Sequence, residues 1–183
     1  MLDKNNIHFK DRDISFIDTE LTGMEFKHEL LEIGLVKVSS YNFSVIEEWE
    51  VKIKPKHLEL ADPESLKIAH YDEEKWKSAL EPEEALKIFL QKTENTILAG
   101  HNILIDWFYI HKALGEYNLQ PTFWYKGLDT VSLAWQKLRQ EPKIKSFSLR
   151  ELAEYFGITQ EKPHSALDDA KTAYKVFVKL SQL

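Results

Sequence analysis

The sequence predicts an α/β domain built on one mixed sheet. Two observations carry this. Three strand-type apolar runs follow one another before Pro55, and beyond them helical and strand-type segments alternate. The composition agrees: 43% of the residues are hydrophobic, enough to fill a core. A length of 183 residues suits a single domain spanning 1–183.

Residues 14–18 ("ISFID") form the first strand. Residues 30–40 and 43–55 give two more, and Tyr41-Asn42 between them suits a tight antiparallel turn. A helix follows Asp62, which stands as a cap ahead of Pro63 at the first helical position. A second runs from Glu81, with Leu86, Phe89 and Leu90 on one face. Residues 95–100 ("NTILAG") make a short buried strand, and a helix begins near Asp106. "FWYKGLDT" is a weaker strand candidate. Helices from about Thr130, Ser146 and Ala166 complete the chain.

A formal net charge of −6 argues against a protein that coats long duplex DNA, which presents a basic face. Any contact with nucleic acid is expected to be local or mediated by metal ions. The chain has no cysteine, which excludes disulfides and thiolate metal sites. No stretch approaches the length of a membrane helix. The opening "MLDKNNIHFKDRD" lacks the apolar core of a secretory signal. The expectation is a cytoplasmic protein without membrane contact.

The first strand runs into Asp18, Thr19 and Glu20 of "IDTELTG". Alternate side chains on a strand share a face, so the two acids point the same way. Adjacent carboxylates repel unless a cation or a shared proton relieves them. Taken alone, the pattern also suits a solvated strand end before a Gly turn. Asp106 in "GHNILID" opens an apolar helix, where the helix dipole also favours an acid. "HSALDDA" at residues 164–170 follows Pro163 and leads into the last helix. Alone, His164 reads as a loop histidine, and Asp168 and Asp169 as first-turn acids.

Together these segments point further. In α/β sheets ligands gather at the carboxyl ends of strands. Asp18 and Glu20 end one strand, Asp106 follows another, and the last helix can deliver one more acid. Four carboxylates without thiols suit Mg²⁺ or Mn²⁺. A pair of such ions supports in-line attack on a phosphodiester, and a nearby histidine can take the proton of the attacking water. At ~100° per residue from Ala166, Ala166, Ala170, Ala173, Phe177 and Leu180 share the stripe that faces the sheet. Asp169 falls at the edge of that stripe, and Asp168 nearly opposite, toward water.

"FIDTELTG", "HNILID" and "HSALDDA", in this order and spacing, resemble the three motifs of the DEDD superfamily of 3′–5′ exonucleases. "LDTVSLA" and "SFSLRELAEYFGI" extend the likeness, which covers about residues 13 to 178. The resemblance implies a ribonuclease H-like fold: a five-stranded mixed sheet, its first three strands antiparallel, flanked by helices. It implies Asp18, Glu20, Asp106 and Asp169 as ligands of two Mg²⁺ or Mn²⁺ ions, with His164 as general base. The superfamily's other branch carries Tyr four residues before the last acid. Here that position is Ser165, so the chain resembles the His branch.

The implied reaction removes nucleotides from the 3′ ends of single-stranded DNA or RNA and releases nucleoside 5′-monophosphates. A proofreading subunit attached to a polymerase, and a non-catalytic binding module on the same fold, are the alternatives. A polymerase or a second copy of the chain is left open as a partner. Substrate contacts are expected at Leu21, Thr22, Met24, His101 and Trp107. Leu21 and Ile105 depart from the residues many members carry. His101 is expected to organise the loop to Asp106 rather than bind metal. Glu32 is expected to support the site from the second strand. Phe26 is a stacking candidate, Phe108 reads as core, and His70 and His111 read as surface or helix-face residues. The basic run 143–150 reads either as a phosphate track or as a solvated loop.

Overall fold

A computed structural model describes residues 7–160 and 164–183. Its centre is a five-stranded sheet formed by β1 (Ile14–Leu21), β2 (Leu30–Val38), β3 (Val45–Lys52), β4 (Ile97–Gly100) and β5 (Gly127–Asp129), in the order β3-β2-β1-β4-β5. The first three strands are antiparallel, and β4 and β5 run parallel to β1. The expected mixed sheet is therefore present. Pro163, which the sequence places ahead of His164, lies outside the described residues.

β1 is longer than the sequence reading. It continues to Leu21, because Leu30 on β2 pairs with it after a register shift at Glu20/Leu21. Asp18 and Glu20 thus stand inside a hydrogen-bonded ladder rather than at a loose strand end. A shift of this kind bends the strand and re-aims the side chains beside it.

Among the described residues six α-helices surround the sheet: α1 (Pro63–Ile68), α2 (Pro82–Lys92), α3 (Leu104–Glu116), α4 (Thr130–Leu138), α5 (Leu149–Phe156) and α6 (Ala166–Ser181). Their starts follow the sequence signals. Asp62 accepts the Glu64 N–H at the head of α1, Asp129 accepts the Ser132 N–H in α4, and Ser148 accepts the Glu151 N–H in α5. α3 begins two residues earlier than expected, so Asp106 lies in its first turn.

Strand alternation sorts the core into two faces. Ile17, Ile33, Leu35 and Leu98 pack against Leu86 and Phe89 of α2 and Ile110 of α3. Phe16, Val36 and Ala99 point the other way, toward Ala170, Tyr174 and Phe177 of α6. α4 and α5 then cover the outer side of α6 through Ala134, Leu138 and Leu152 on Val176 and Leu180. Each large apolar side chain buried this way contributes about 1.5–3 kcal/mol. The two faces meet at the C-terminal ends of β1 and β4, where the acids lie. Among the described residues no helix is long and apolar enough to cross a membrane.

Candidate metal centre and active site

The same alternation decides where each acid goes. Asp18 and Glu20 follow Phe16 on the face that α6 covers. Asp169, in the first turn of α6, comes down beside them. Carboxylate oxygens of Asp18, Glu20 and Asp169 lie within 4.8 Å of one another. Thr19 points to the opposite face, and its hydroxyl donates to Oδ1 of Asp106 at 2.7 Å. Asp106 therefore reaches the strand end from the α3 side. It stands outside the three-acid group but close enough to repel Asp18.

The electrostatics of the cluster favour protons or positive charge. Burial, then repulsion from Asp106, Asp169, Glu20 and Glu32, raises the Asp18 carboxyl well above the usual range. Burial raises Glu20 to about 7, with Asp169, Glu32 and Asp106 adding to it and Lys52 opposing. Burial raises Asp106 to about 7 against the pull of the Thr19 hydroxyl. Burial also raises Asp169, although the His164 N–H donates to Oδ2 at 3.1 Å and the Gln160 amide to Oδ1 at 3.2 Å. Buried like charges at this spacing require protons or a cation. The all-oxygen donor set fits Mg²⁺ or Mn²⁺.

Three further residues hold this arrangement. Gly34 pairs with Asp18 across the ladder. A Cβ at Gly34 would stand 2.1 Å from the Ala166 carbonyl carbon and 2.2 Å from the Leu167 nitrogen. Only a glycine lets the head of α6 sit this low on the sheet. Glu32, buried and paired with Glu20, accepts the Ala166 N–H at 3.2 Å and the Lys52 ammonium at 2.5 Å. Glu32 thus ties β2 to the helix that carries Asp169, and Lys52, opposite it on β3, balances its charge.

His164 is exposed at the lip of the site and holds a left-handed backbone, with φ at 63°. That conformation aims its N–H at Asp169. A non-glycine residue held there costs about 1–2 kcal/mol, and such residues cluster at functional sites.

The expected substrate contacts are placed unequally. Met24 and Phe26 are exposed on the loop after β1. Leu21 is buried in the core. Thr22 is buried too, its hydroxyl accepting the Glu29 N–H at 2.8 Å, so it closes the loop instead of facing the cleft. Trp107 is half-buried and stacks on His111 with ring centroids 4.7 Å apart. His101 hydrogen-bonds the Phe147 backbone through its ring, and burial lowers its pKa. Its Nδ1 is buried without a partner. Phe108, read as core, is instead 45% exposed and leans on Phe26, with ring centroids 6.0 Å apart. α3 is apolar on most sides, so hydropathy alone could not tell its covered face from its open one. Asp168, expected to face water, is half-buried beside Glu48 and Lys171. The run 143–150 is ordered by Glu151, whose carboxylate accepts the N–H groups of Lys145, Ser146 and Phe147.

Thr19, Gly34, Lys52 and Gln160 were not singled out from the sequence. Gly34 had a signal: a lone glycine inside an apolar strand marks a bulge or a close backbone approach.

A family model described as "Exonuclease" (RNase_T) matches residues 15–177. The chain is 29% identical over 180 residues to a PolC-type DNA polymerase III of Thermotoga petrophila, covering 96% of this chain and 12% of that protein. It is 28% identical over 166 residues to the DNA polymerase III subunit epsilon of Aquifex aeolicus, covering 90% and 78%. Among solved structures, the nuclease domain of 3′hExo, a DEDDh family member bound to rAMP, superposes with a TM-score of 0.75 at 18% identity, over 93% of this chain and 92% of that one.

Proposed function

Since the chain belongs to the RNase_T exonuclease family, we propose that it hydrolyses single-stranded DNA or RNA from the 3′ end and releases nucleoside 5′-monophosphates. The observation that carries this reading is the meeting of Asp18, Glu20 and Asp169 at one point, with Asp106 beside them and all four carboxyls raised. Asp18, Glu20, Asp106 and Asp169 would hold two Mg²⁺ or Mn²⁺ ions. Bound there, the ions would ready a water for in-line attack and steady the leaving oxygen.

The remaining work falls to side chains of this chain. His164 takes the proton of the attacking water from the exposed lip of the site. Its N–H and the Gln160 amide fix the Asp169 carboxylate. Thr19 fixes Asp106. Met24 and Trp107 border the path of the terminal nucleotide. The likeness to polymerase III proteins supports a second reading, in which the same hydrolysis serves a polymerase as proofreading.

The test uses an oligonucleotide labelled at its 5′ end, as DNA and as RNA, with Mn²⁺ or Mg²⁺. The reading expects a ladder that shortens from the 3′ end and nucleoside 5′-monophosphates as product. Internal cuts, or no cleavage of either polymer, would count against it.

A further inference from the structure

A groove of about 500 Å³ lies along β5, the free edge of the sheet. Leu104 and Trp107 of α3, Val131 and Ser132 of α4, and Tyr125 line it. The volume falls in the range of about 300–1,000 Å³ usual for ligand pockets. β4 stands between the groove and Asp18 and Glu20 on β1, and Asp129 links the two, since its charge repels Asp106. Asp129 lines the groove and accepts the Ile103 N–H at 3.0 Å, three residues before Asp106.

The lining is aromatic and open. Leu104 is 74% exposed and Tyr125 72%. Trp107 lies against Gly127, where an added Cβ would stand 3.7 Å from the indole ring. Trp135 follows Val131 by one helical turn, so it prolongs the same face of α4, and it is 57% exposed. Both outer rings carry a cation. Lys126 Nζ stands 5.5 Å from the Tyr125 ring centroid, and the Arg139 guanidinium 5.2 Å from that of Trp135. In a chain of net charge −6, this surface offers two exposed rings with a cation beside each. Bases stack on such rings while cations take the phosphates.

We propose that this groove holds bases of the single strand upstream of the scissile phosphate, stacked on Tyr125 and Trp135 with Lys126 and Arg139 on the backbone. The inference rests on the exonuclease reading and adds to it a preference for substrates long enough to reach the groove. Tyr125 and Trp135 lie outside the acid cluster and the buried core, so the chemistry and the fold are left intact when they change.

The test compares wild type, Tyr125→Ala, Trp135→Ala and Tyr125→Trp on two substrates. One is the p-nitrophenyl ester of thymidine 5′-monophosphate, which has no upstream strand. The other is a single strand about a dozen nucleotides long, within the site sizes of single-strand binders. Binding of that strand is also read by fluorescence anisotropy in Ca²⁺. Each alanine variant is expected to weaken strand binding and raise the strand's KM by about 5–150-fold. Turnover of the ester stays unchanged, and Tyr125→Trp keeps the wild-type values. Alanine variants that bind the strand as wild type does would overturn the proposal and leave the groove to a protein partner. Equal losses on ester and strand would overturn it too. A wild type inert on both substrates counts against the exonuclease reading, while anisotropy still decides the groove.

Discussion

Gly34 stands directly across the β1–β2 ladder from Asp18, and the backbone of Ala166 fills the space where a side chain at Gly34 would be. A missing Cβ on β2 therefore sets the height of α6 above the sheet, and with it the meeting of Asp169 and Asp18. In Gly34→Ala the new methyl group meets backbone atoms, which cannot swing aside as a flexible side chain would. The variant should lose about 1–3 kcal/mol of stability and bind Mn²⁺ more weakly. Urea unfolding with a parallel metal titration checks both. A variant with normal stability and normal metal binding would show that α6 can ride higher without consequence.

Glu32 is the second tie between β2 and α6. Gln at this position still offers an oxygen to the Ala166 N–H, whereas Ala does not. Glu32→Ala should lower metal affinity by roughly 10–100-fold, the range for partners that orient metal ligands. Glu32→Gln should keep most of it. Calorimetric Mn²⁺ titration separates the two. Equal loss in both would mean that the charge of Glu32, and not its tether, is what counts.

The raised carboxyls fix the sign of a pH effect. Glu20 and Asp106 sit at about 7 in the folded protein, and Asp18 is well above its ordinary value. Between the unfolded values near 4 and about 7, the folded state binds more protons than the unfolded chain. Stability from this cluster is therefore fully present below the unfolded values and is lost as pH rises through about 7. In EDTA, melting temperature should fall over that window. Mn²⁺ should restore it at high pH by replacing the protons. Asp18→Asn, which removes one repelling charge, should be more stable than wild type in EDTA above this window, by on the order of 1–3 kcal/mol. A wild-type melting curve flat across the window, with or without metal, would show that the acids do not repel as described.

His164 offers the cleanest separation of chemistry from binding. It contacts Asp169 through its backbone N–H, a contact that any residue able to hold the same turn keeps. His164→Asn suits that left-handed backbone and should lower kcat by roughly 10²–10⁴-fold, with little change in metal midpoint. A variant with near-normal kcat would assign proton removal to another group.

Much of this site was legible in the sequence because two of its rules are periodic. Strand alternation put Asp18 and Glu20 on one face, and helical phase chose Asp169 over Asp168 as the acid nearer the sheet. The strands and helices followed from apolar runs and capping residues such as Asp62 and Ser148. What was not legible depends on contacts between distant segments. Nothing local tells that Thr19 turns away from its two neighbours to hold Asp106, or that Lys52 sits opposite Glu32. Phe108 was misplaced because α3 is apolar nearly all round. Asp168 is half-buried and shares a pocket with Glu48 of β3, a neighbour that no helical wheel contains.

The assignment of the acids is tested most directly by Asp169→Asn and Asp168→Asn side by side, each assayed for 3′ hydrolysis and for Mn²⁺ binding. Both changes remove one charge from the first turn of α6, so they share any effect on the helix dipole. They differ in that Asp169 meets Asp18 and Glu20, while Asp168 lies beside Glu48 and Lys171. Asp169→Asn is expected to abolish hydrolysis and weaken Mn²⁺ binding, and Asp168→Asn to keep most of both. An inactive Asp168→Asn beside an active Asp169→Asn would contradict the account, and with it the site built on Asp18, Glu20 and Asp169.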